Sequence, residues 1–286
     1  MSLSLEKLST LSPSVHSHVE RELKRLAEAV QALPVTEAAC LAEARVQAQL
    51  PAVLVASDYV ARQLQRHPAL LGELVQTQDL WRSYGDNQYH EYLQQHLSGV
   101  SEEPELMKIL RVQRRREMVR IIWRDSTGLA KFAETARDLS NLADACIELT
   151  LEKLYALLEP QCGRPHYKNS DRPMPMVVLG MGKLGAQELN LSSDIDLMFV
   201  YAHDGETTGG ARSLDHLEYF LRLGQRLIKV LDENTADGFV FRVDMRLRPF
   251  GASGPLAMSF LSMENYYEDQ GREWERYAMI KARAVG

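Results

Sequence analysis

Val15, Val19, Leu23, Leu26, Val30 and Leu33 recur at steps of three and four, and charged residues fill the positions between them. That period predicts an amphipathic helix with one buried stripe. Pro34 ends it, and Thr36 is placed to cap the next. The same reading predicts helices near 36–48, 51–65, 88–97, 105–124 and 128–158, the last keeping Leu139, Leu142, Cys146, Leu149 and Tyr155 on one side. No strand pattern competes up to about Glu159, so this half reads as a helical bundle or array.

The pattern changes after "EPQCGRPHYKNSDRPMP", a proline-rich polar stretch that reads as a linker or crossover. Short β-type runs follow at 176–179, 195–201 and 239–248. Between the last two lies a helix at about 214–233, with Leu214, Leu217, Leu221, Leu227, Ile228 and Leu231 as its apolar face. Strands alternating with helices predict an α/β or α+β domain. The tail from 259 looks helical and stops at "IKARAVG" without a cap, the pattern of a fragment.

Composition narrows the class. With 286 residues, two domains are the default expectation. No apolar run approaches a membrane span, and "MSLSLEKLST" lacks the pattern of a secretion signal. Cys40, Cys146 and Cys162 form no CxxC pair, which fits a reducing cytoplasm. A formal charge of −6 gives no global pull toward nucleic acid.

The candidate chemistry lies in "VVLGMGKLGAQELNLSSDIDLMFVY" (177–201). A P-loop fails, because Val177 and Leu184 stand where that motif needs glycine and serine or threonine. Gly180, Gly182 and Gly185 satisfy GxGxxG, but only about two helical turns fit before the next strand, and the acidic residues start that strand instead of ending it. A third reading uses every residue. Asp194 and Asp196 share one face of a strand, with Ile195, Leu197, Phe199 and Tyr201 on the other. Two such carboxylates repel unless a cation neutralises them, and hard oxygen ligands suit Mg²⁺ or Mn²⁺. The glycine turn at Gly180 and Gly182, with Ser193 nearby, forms a phosphate seat. Lys183 is either a phosphate contact or a solvated side chain.

This reading needs a third acid on a neighbouring strand, and "FVFRVDMRLRP" supplies Asp244 on a face shared with Arg242, Arg246 and Arg248. The arginines are candidates for phosphate or transition-state charge. Elsewhere, "RVQRRREMVRIIWRD" (111–125) reads as a surface for an acidic partner or as a solvated helix face with ion pairs. The loop His203–Gly210 reads as a lid near the carboxylates or as a plain connector. Arg272, Arg276 and Arg283 in the tail helix are candidates to lend charge to the cleft, the alternative being a helix that serves to pack Trp274 and Tyr277 into the core.

"GMGKLGAQELNLSSDIDLMF" with "FRVDMRLRPFGASGPL" resembles the nucleotidyltransferase domains of the bifunctional glutamine synthetase adenylyltransferase/adenylyl-removing enzyme family, within the DNA polymerase β-like superfamily. Eleven residues separate Gly182 from Asp194, which suits the superfamily's glycine-then-Dx[DE] pattern. "MENYYEDQGREWERYAMIKAR" and "RRREMVRIIWRD" are also similar to family segments. The resemblance implies a mostly helical α+β fold: a helical domain over 1–160, then a polymerase β-like domain with a small mixed sheet and helical tail over 161–286. "ELNLSSDIDL" is closer to the N-terminal, adenylyl-removing half, in which phosphate attacks the AMP–tyrosine bond of glutamine synthetase and releases ADP.

The implied partners are adenylylated glutamine synthetase, phosphate and ADP or ATP, with the PII signal protein acting on the full-length enzyme and no nucleic acid or membrane. The implied cofactors are two Mg²⁺ or Mn²⁺ ions on Asp194, Asp196 and Asp244. Adenylyl transfer from ATP to a tyrosine, another acceptor for the same chemistry, and a non-catalytic nucleotide-sensing module are the alternatives.

Overall fold

The computed structural model describes residues 13–31, 33–34 and 38–285, so the capping role expected of Thr36 lies outside the described residues. The fold is mostly helical with a small mixed sheet. Contacts group the chain into two compact units, one of Met1–Tyr84 with Arg114–Asp138 and one of Gly85–Gln113 with Leu139–Gly286. The boundary expected near residue 160 follows composition. The grouping by contacts instead divides each of two long helices, α6 (Glu103–Ser126) and α7 (Phe132–Cys162), between the units.

The first unit holds α1 (Pro13–Val30), α2 (Ala44–Ala56), α3 (Asp58–Arg66) and α4 (Ala69–Gln76). Val19, Leu23, Leu26 and Val30 are buried, as the three–four period requires. Pro51 does not open a helix; it lies inside α2. The break falls at Ser57, whose Oγ accepts the Val60 N–H and caps α3. The short apolar helix α4 is an element that periodicity did not separate from its neighbours.

Neither reading of the arginine-rich segment fits the structure. Arg116, Arg120 and Arg124 of α6 are buried within this unit at 2%, 0% and 3% exposure. Arg116 pairs with Glu73, Asp79 and Glu117. Arg120 donates to Asp138 and to the carbonyls of Asp79 and Arg82, and Arg124 to Glu134 and the carbonyl of Leu80. Planar forks with many donors tolerate burial when acids and carbonyls meet them.

The second unit adds α5 (Gln88–His96), β1 (Val177–Met181), α8 (Gly182–Gly185), β2 (Ile195–Tyr201), α9 (His216–Asp232), β3 (Val243–Asp244), β4 (Ala257–Ser259), α10 (Phe260–Asp269), α11 (Glu273–Ala278) and β5 (Arg283–Ala284). The sheet order is β3-β2-β1-β5, with β4 also on β2. Thus β2 is central. β1 runs antiparallel along one edge, and β3 and then β4 run parallel along the other.

Helix α9 begins where the Asp215 carboxylate accepts the N–H groups of Leu217 and Glu218. Its buried face carries Tyr219, Phe220, Leu223, Gly224, Leu227, Val230 and Leu231, while Leu217 is exposed, so the face is rotated from the expected leucine stripe. Gly224 sets the approach to the sheet, since a Cβ there would stand 2.8 Å from Phe199 Cδ2. The far end of α9 is fixed by Arg111, which is buried and donates to the carbonyls of Met107, Val230, Glu233 and Gly238. A cation on C-terminal carbonyls also opposes the negative end of the helix dipole. Glu103 at the start of α6 pairs with Arg226 and Lys229 of α9.

The strand expected over 239–248 is reduced to Val243–Asp244. The Asp244 carboxylate accepts the backbone N–H of Arg246 at 2.8 Å, closing a side-chain turn that ends the strand. The tail also departs from all-helix, because β4 and β5 join the sheet at Ala257–Ser259 and Arg283–Ala284. Among the described residues, no helix is long and apolar enough to cross a membrane.

Candidate active site

The antiparallel β1–β2 ladder puts Met181 opposite Asp196, and the parallel β2–β3 ladder puts Asp244 beside the same residue. Asp194 precedes β2 by one residue, where the Ile195 N–H donates to the Arg242 carbonyl. The three aspartates therefore stand at one end of the sheet, next to the glycine turn. Neighbouring strands lie about 4.8 Å apart, so register partners bring their side chains close.

The glycines of this turn have different duties. Gly182 has φ +53°, and a Cβ there would meet Asp196 Oδ2 at 2.8 Å, so only glycine brings the backbone this near the carboxylate. At Gly180 the space is filled by neighbours: a Cβ would meet Val285 at 2.9 Å and Leu184 at 3.1 Å. Helix α8 is a single turn, shorter than the two turns expected. Its Leu184 and Gly185 carbonyls accept from Arg283, which also pairs with Asp144 of α7. Lys183 is exposed. Ser193 is half-buried, and its Oγ accepts the Asn190 N–H at 3.1 Å, closing the turn ahead of Asp194.

The arginines divide in the same way. Arg242 donates to Asp194 Oδ1 at 2.5 Å and to the Ser192 carbonyl at 2.6 Å. Arg246 grips both oxygens of Asp244 from Nε, at 3.0 and 2.8 Å. Arg248 bonds no aspartate and acts on Asp244 only through the field, its nitrogens donating to the carbonyls of Met245, Ala252 and Gly254. It thereby braces the turn at 249–254.

The charges interact. Burial, and then Asp244 and Asp194, push the Asp196 carboxyl above the usual range, against the pull of Arg246 and Lys183. Asp244 is held below it by its hydrogen bonds from Arg246. The site thus gathers three mutually repelling oxygen donors, a set whose chemistry fits Mg²⁺ or Mn²⁺. Among the described residues, no three acidic, histidine or cysteine side chains already converge as a cation cage. Two of these carboxylates are turned to arginines.

The structure also bears on the remaining candidates for the cleft. The loop His203–Gly210 follows Tyr201, five residues along β2 from Asp196 and so about 16 Å away. It is tied to the crossover by Lys168 N–H donating to His203 Nε2 and by Thr208 pairing with Arg164, so it is a connector. Arg276 donates to the Tyr267 carbonyl and Arg283 holds α8, so neither charges the cleft freely. Sequence reasoning missed Asp144 as a support of the glycine turn. Its only sequence signal is a charge beside the buried side of α7.

A family profile described as glutamate-ammonia ligase adenylyltransferase matches residues 47–286. The bifunctional glutamine synthetase adenylyltransferase/adenylyl-removing enzyme of Pseudomonas aeruginosa is 53% identical over 289 residues, covering 99% of this chain and 29% of the relative. Proteins of the same description from Nitrosococcus oceani and Pseudomonas syringae pv. tomato are 56% and 55% identical, covering 80% and 82% of this chain and 24% of each relative. The chain thus spans a quarter to three tenths of the length of these relatives.

Proposed function

The chain belongs to the glutamate-ammonia ligase adenylyltransferase family, and from that premise we propose that its site removes AMP from a tyrosine of glutamine synthetase by phosphorolysis. The observation that carries this reading is the placement of Asp244 beside Asp196, with Asp194 two residues away, against a turn where Gly182 leaves no side chain in between. Such an arrangement suits reactions at phosphorus, which depend on charge neutralisation and in-line positioning.

In the proposed reaction an oxygen of inorganic phosphate attacks the phosphorus of the AMP–tyrosine diester. The bond from phosphorus to the tyrosine oxygen breaks, the phenolate takes up a proton, and ADP leaves. Asp194, Asp196 and Asp244 would hold Mg²⁺ or Mn²⁺, which when bound withdraws charge from the phosphoryl oxygens. Asp244 orients the attacking phosphate. Arg242 and Arg246, exposed at the same mouth, bind its negative charge. Gly182 lets the phosphates approach the backbone. Glutamine synthetase enters this proposal because the relatives are described as acting on it. The PII signal protein enters only as a partner of the longer enzyme.

The test is incubation of the chain with adenylylated glutamine synthetase, Mg²⁺ and inorganic phosphate. ADP that forms only with phosphate supports the reading. AMP incorporation from ATP into unmodified glutamine synthetase, without phosphate-dependent ADP, would assign the chain the opposite direction. Nucleotide binding with neither reaction would mark a sensing module.

A further inference from the structure

Two of the three carboxylates already carry a positive charge, and the chain itself supplies it. Arg242 occupies Asp194 and Arg246 occupies Asp244 through a two-pronged grip. Asp196 holds no such partner among the described residues. Three carboxylates against the two guanidiniums that grip them leave one negative charge, on Asp196, with Lys183 acting on it only through the field and not as a bonded partner. That balance invites a cation and discourages phosphate.

The two arginines are also free to leave. Their side chains are 51% and 80% exposed, so neither departure opens the core. Arg242 gives up one further hydrogen bond, to the Ser192 carbonyl, whereas Arg248 is committed to three backbone carbonyls and Arg111 to four. The guanidinium end of each pair reaches solvent, although the Asp244 carboxylate is only 14% exposed, so a better partner for each side can displace the pair. A divalent cation is the better partner for a carboxylate, and a phosphate is the better partner for a guanidinium fork.

We propose that Arg242 and Arg246 are exchangeable counter-ions. They neutralise Asp194 and Asp244 until a divalent cation takes the carboxylates, and then turn to the phosphate oxygens of the incoming anion. The exchange reverses the charge of the mouth and presents two freed forks at the moment phosphate is needed. It makes cation and phosphate binding mutually dependent, with the same coupling factor in both directions. The proposal rests on the reading of the site as a nucleotidyl-transfer centre.

The experiment measures Mn²⁺ binding to the full chain by the electron paramagnetic resonance signal of free Mn²⁺, with and without inorganic phosphate. In the unmodified chain phosphate should tighten Mn²⁺ by at least about fivefold, and in R242Q/R246Q by less than about twofold, with Mn²⁺ alone bound no more weakly than before. In parallel, nitrogen-15 spectra with Mg²⁺ follow the Nε–H signals of the two arginines, identified by their loss in R242Q and R246Q. Both signals should shift on adding Mg²⁺. Full coupling retained in the double variant, or arginine signals that stay put while Mg²⁺ binds, would overturn the exchange and leave the metal site standing. Equal Mn²⁺ affinity in the unmodified chain and in Asp196→Asn would instead bring down the site reading itself, and the exchange with it.

Discussion

Asp244 stands beside Asp196 as its register partner across the parallel pair β2–β3, although 47 residues separate them in sequence. Neutralising Asp244 changes the field at Asp196, whose carboxyl Asp244 helps push above the usual range. Replacing Asp196 or Asp244 with Asn should lower phosphate-dependent ADP release by about 100-fold or more, the scale on which loss of one electrostatic group acts. Circular dichroism should show the fold intact. A variant that keeps half the original rate would remove these acids from the chemistry.

The two glycines should separate by assay. Gly182→Ala puts a methyl 2.8 Å from Asp196 Oδ2 at a positive φ. It should destabilise the fold by about 1–2 kcal/mol and also reduce turnover. Gly180→Ala meets Val285 and Leu184 instead. It should lose about 1–3 kcal/mol of stability through overpacking, with activity per folded molecule preserved. Chemical denaturation together with active-site titration distinguishes the two outcomes.

Arg248 and Arg246 should likewise differ. Removing the Arg248 side chain takes its donors from the carbonyls of Ala252 and Gly254, and one of two from that of Met245, which keeps the residue 248 backbone N–H. Arg248→Ala should therefore destabilise by about 1–3 kcal/mol while the KM for phosphate changes little. Arg246→Ala should raise that KM by about tenfold, the loss of one charge-assisted contact, with little change in melting temperature. Steady-state kinetics against phosphate concentration would reveal a reversal of these roles.

Arg111→Met should be the most damaging single change outside the site. It strips a buried donor from the carbonyls closing α9, each left unsatisfied at a cost of about 1–3 kcal/mol. Arg111→Lys should recover part of that loss, since one ammonium reaches fewer carbonyls than a fork. Urea unfolding monitored by tryptophan fluorescence measures both.

Acid stability should report on Glu103. Burial raises its carboxyl, but hydrogen bonds and charge from Arg226 and Lys229 together outweigh burial and hold it below the usual range. A depressed folded value means stability that is present above the ordinary glutamate range and is lost as pH falls through the lowered one. Glu103→Gln should flatten stability against pH on the acid side of the ordinary glutamate range, and cost about 1 kcal/mol at neutral pH. A melting-temperature series over that range would show an unchanged slope if the pair contributed nothing.

The legible parts of the molecule were those governed by local period. The stripe from Val19 to Val30 and the whole of β2 follow from which positions must face an apolar core. The third acid was legible for a related reason: alternation puts Asp244 and its arginines on one side. Where the outcome depends on distant partners, the pattern misleads. Arg116, Arg120 and Arg124 read as solvent-facing because the acids that take them inside, Asp79 and Asp138, lie elsewhere in the chain. Alternation also overran the end of β3, because it is blind to a side chain bonding its own backbone, as Asp244 does two residues on. The opposed roles of Arg246 and Arg248 were equally hidden, since identical residues two positions apart differ only in what a turn brings to them.

Parallel neighbours cannot be joined by a tight hairpin, so the chain between β2 and β3 must travel back along the sheet, and here it does so through α9. The centre is therefore assembled by a remote packing event. A methyl group added at Gly224 would press on Phe199 and touch no acid. By lifting α9 off β2 it would disturb the packing between the two strands that carry the aspartates, so a genetic screen for inactive variants should return hits along that helix as readily as at the mouth.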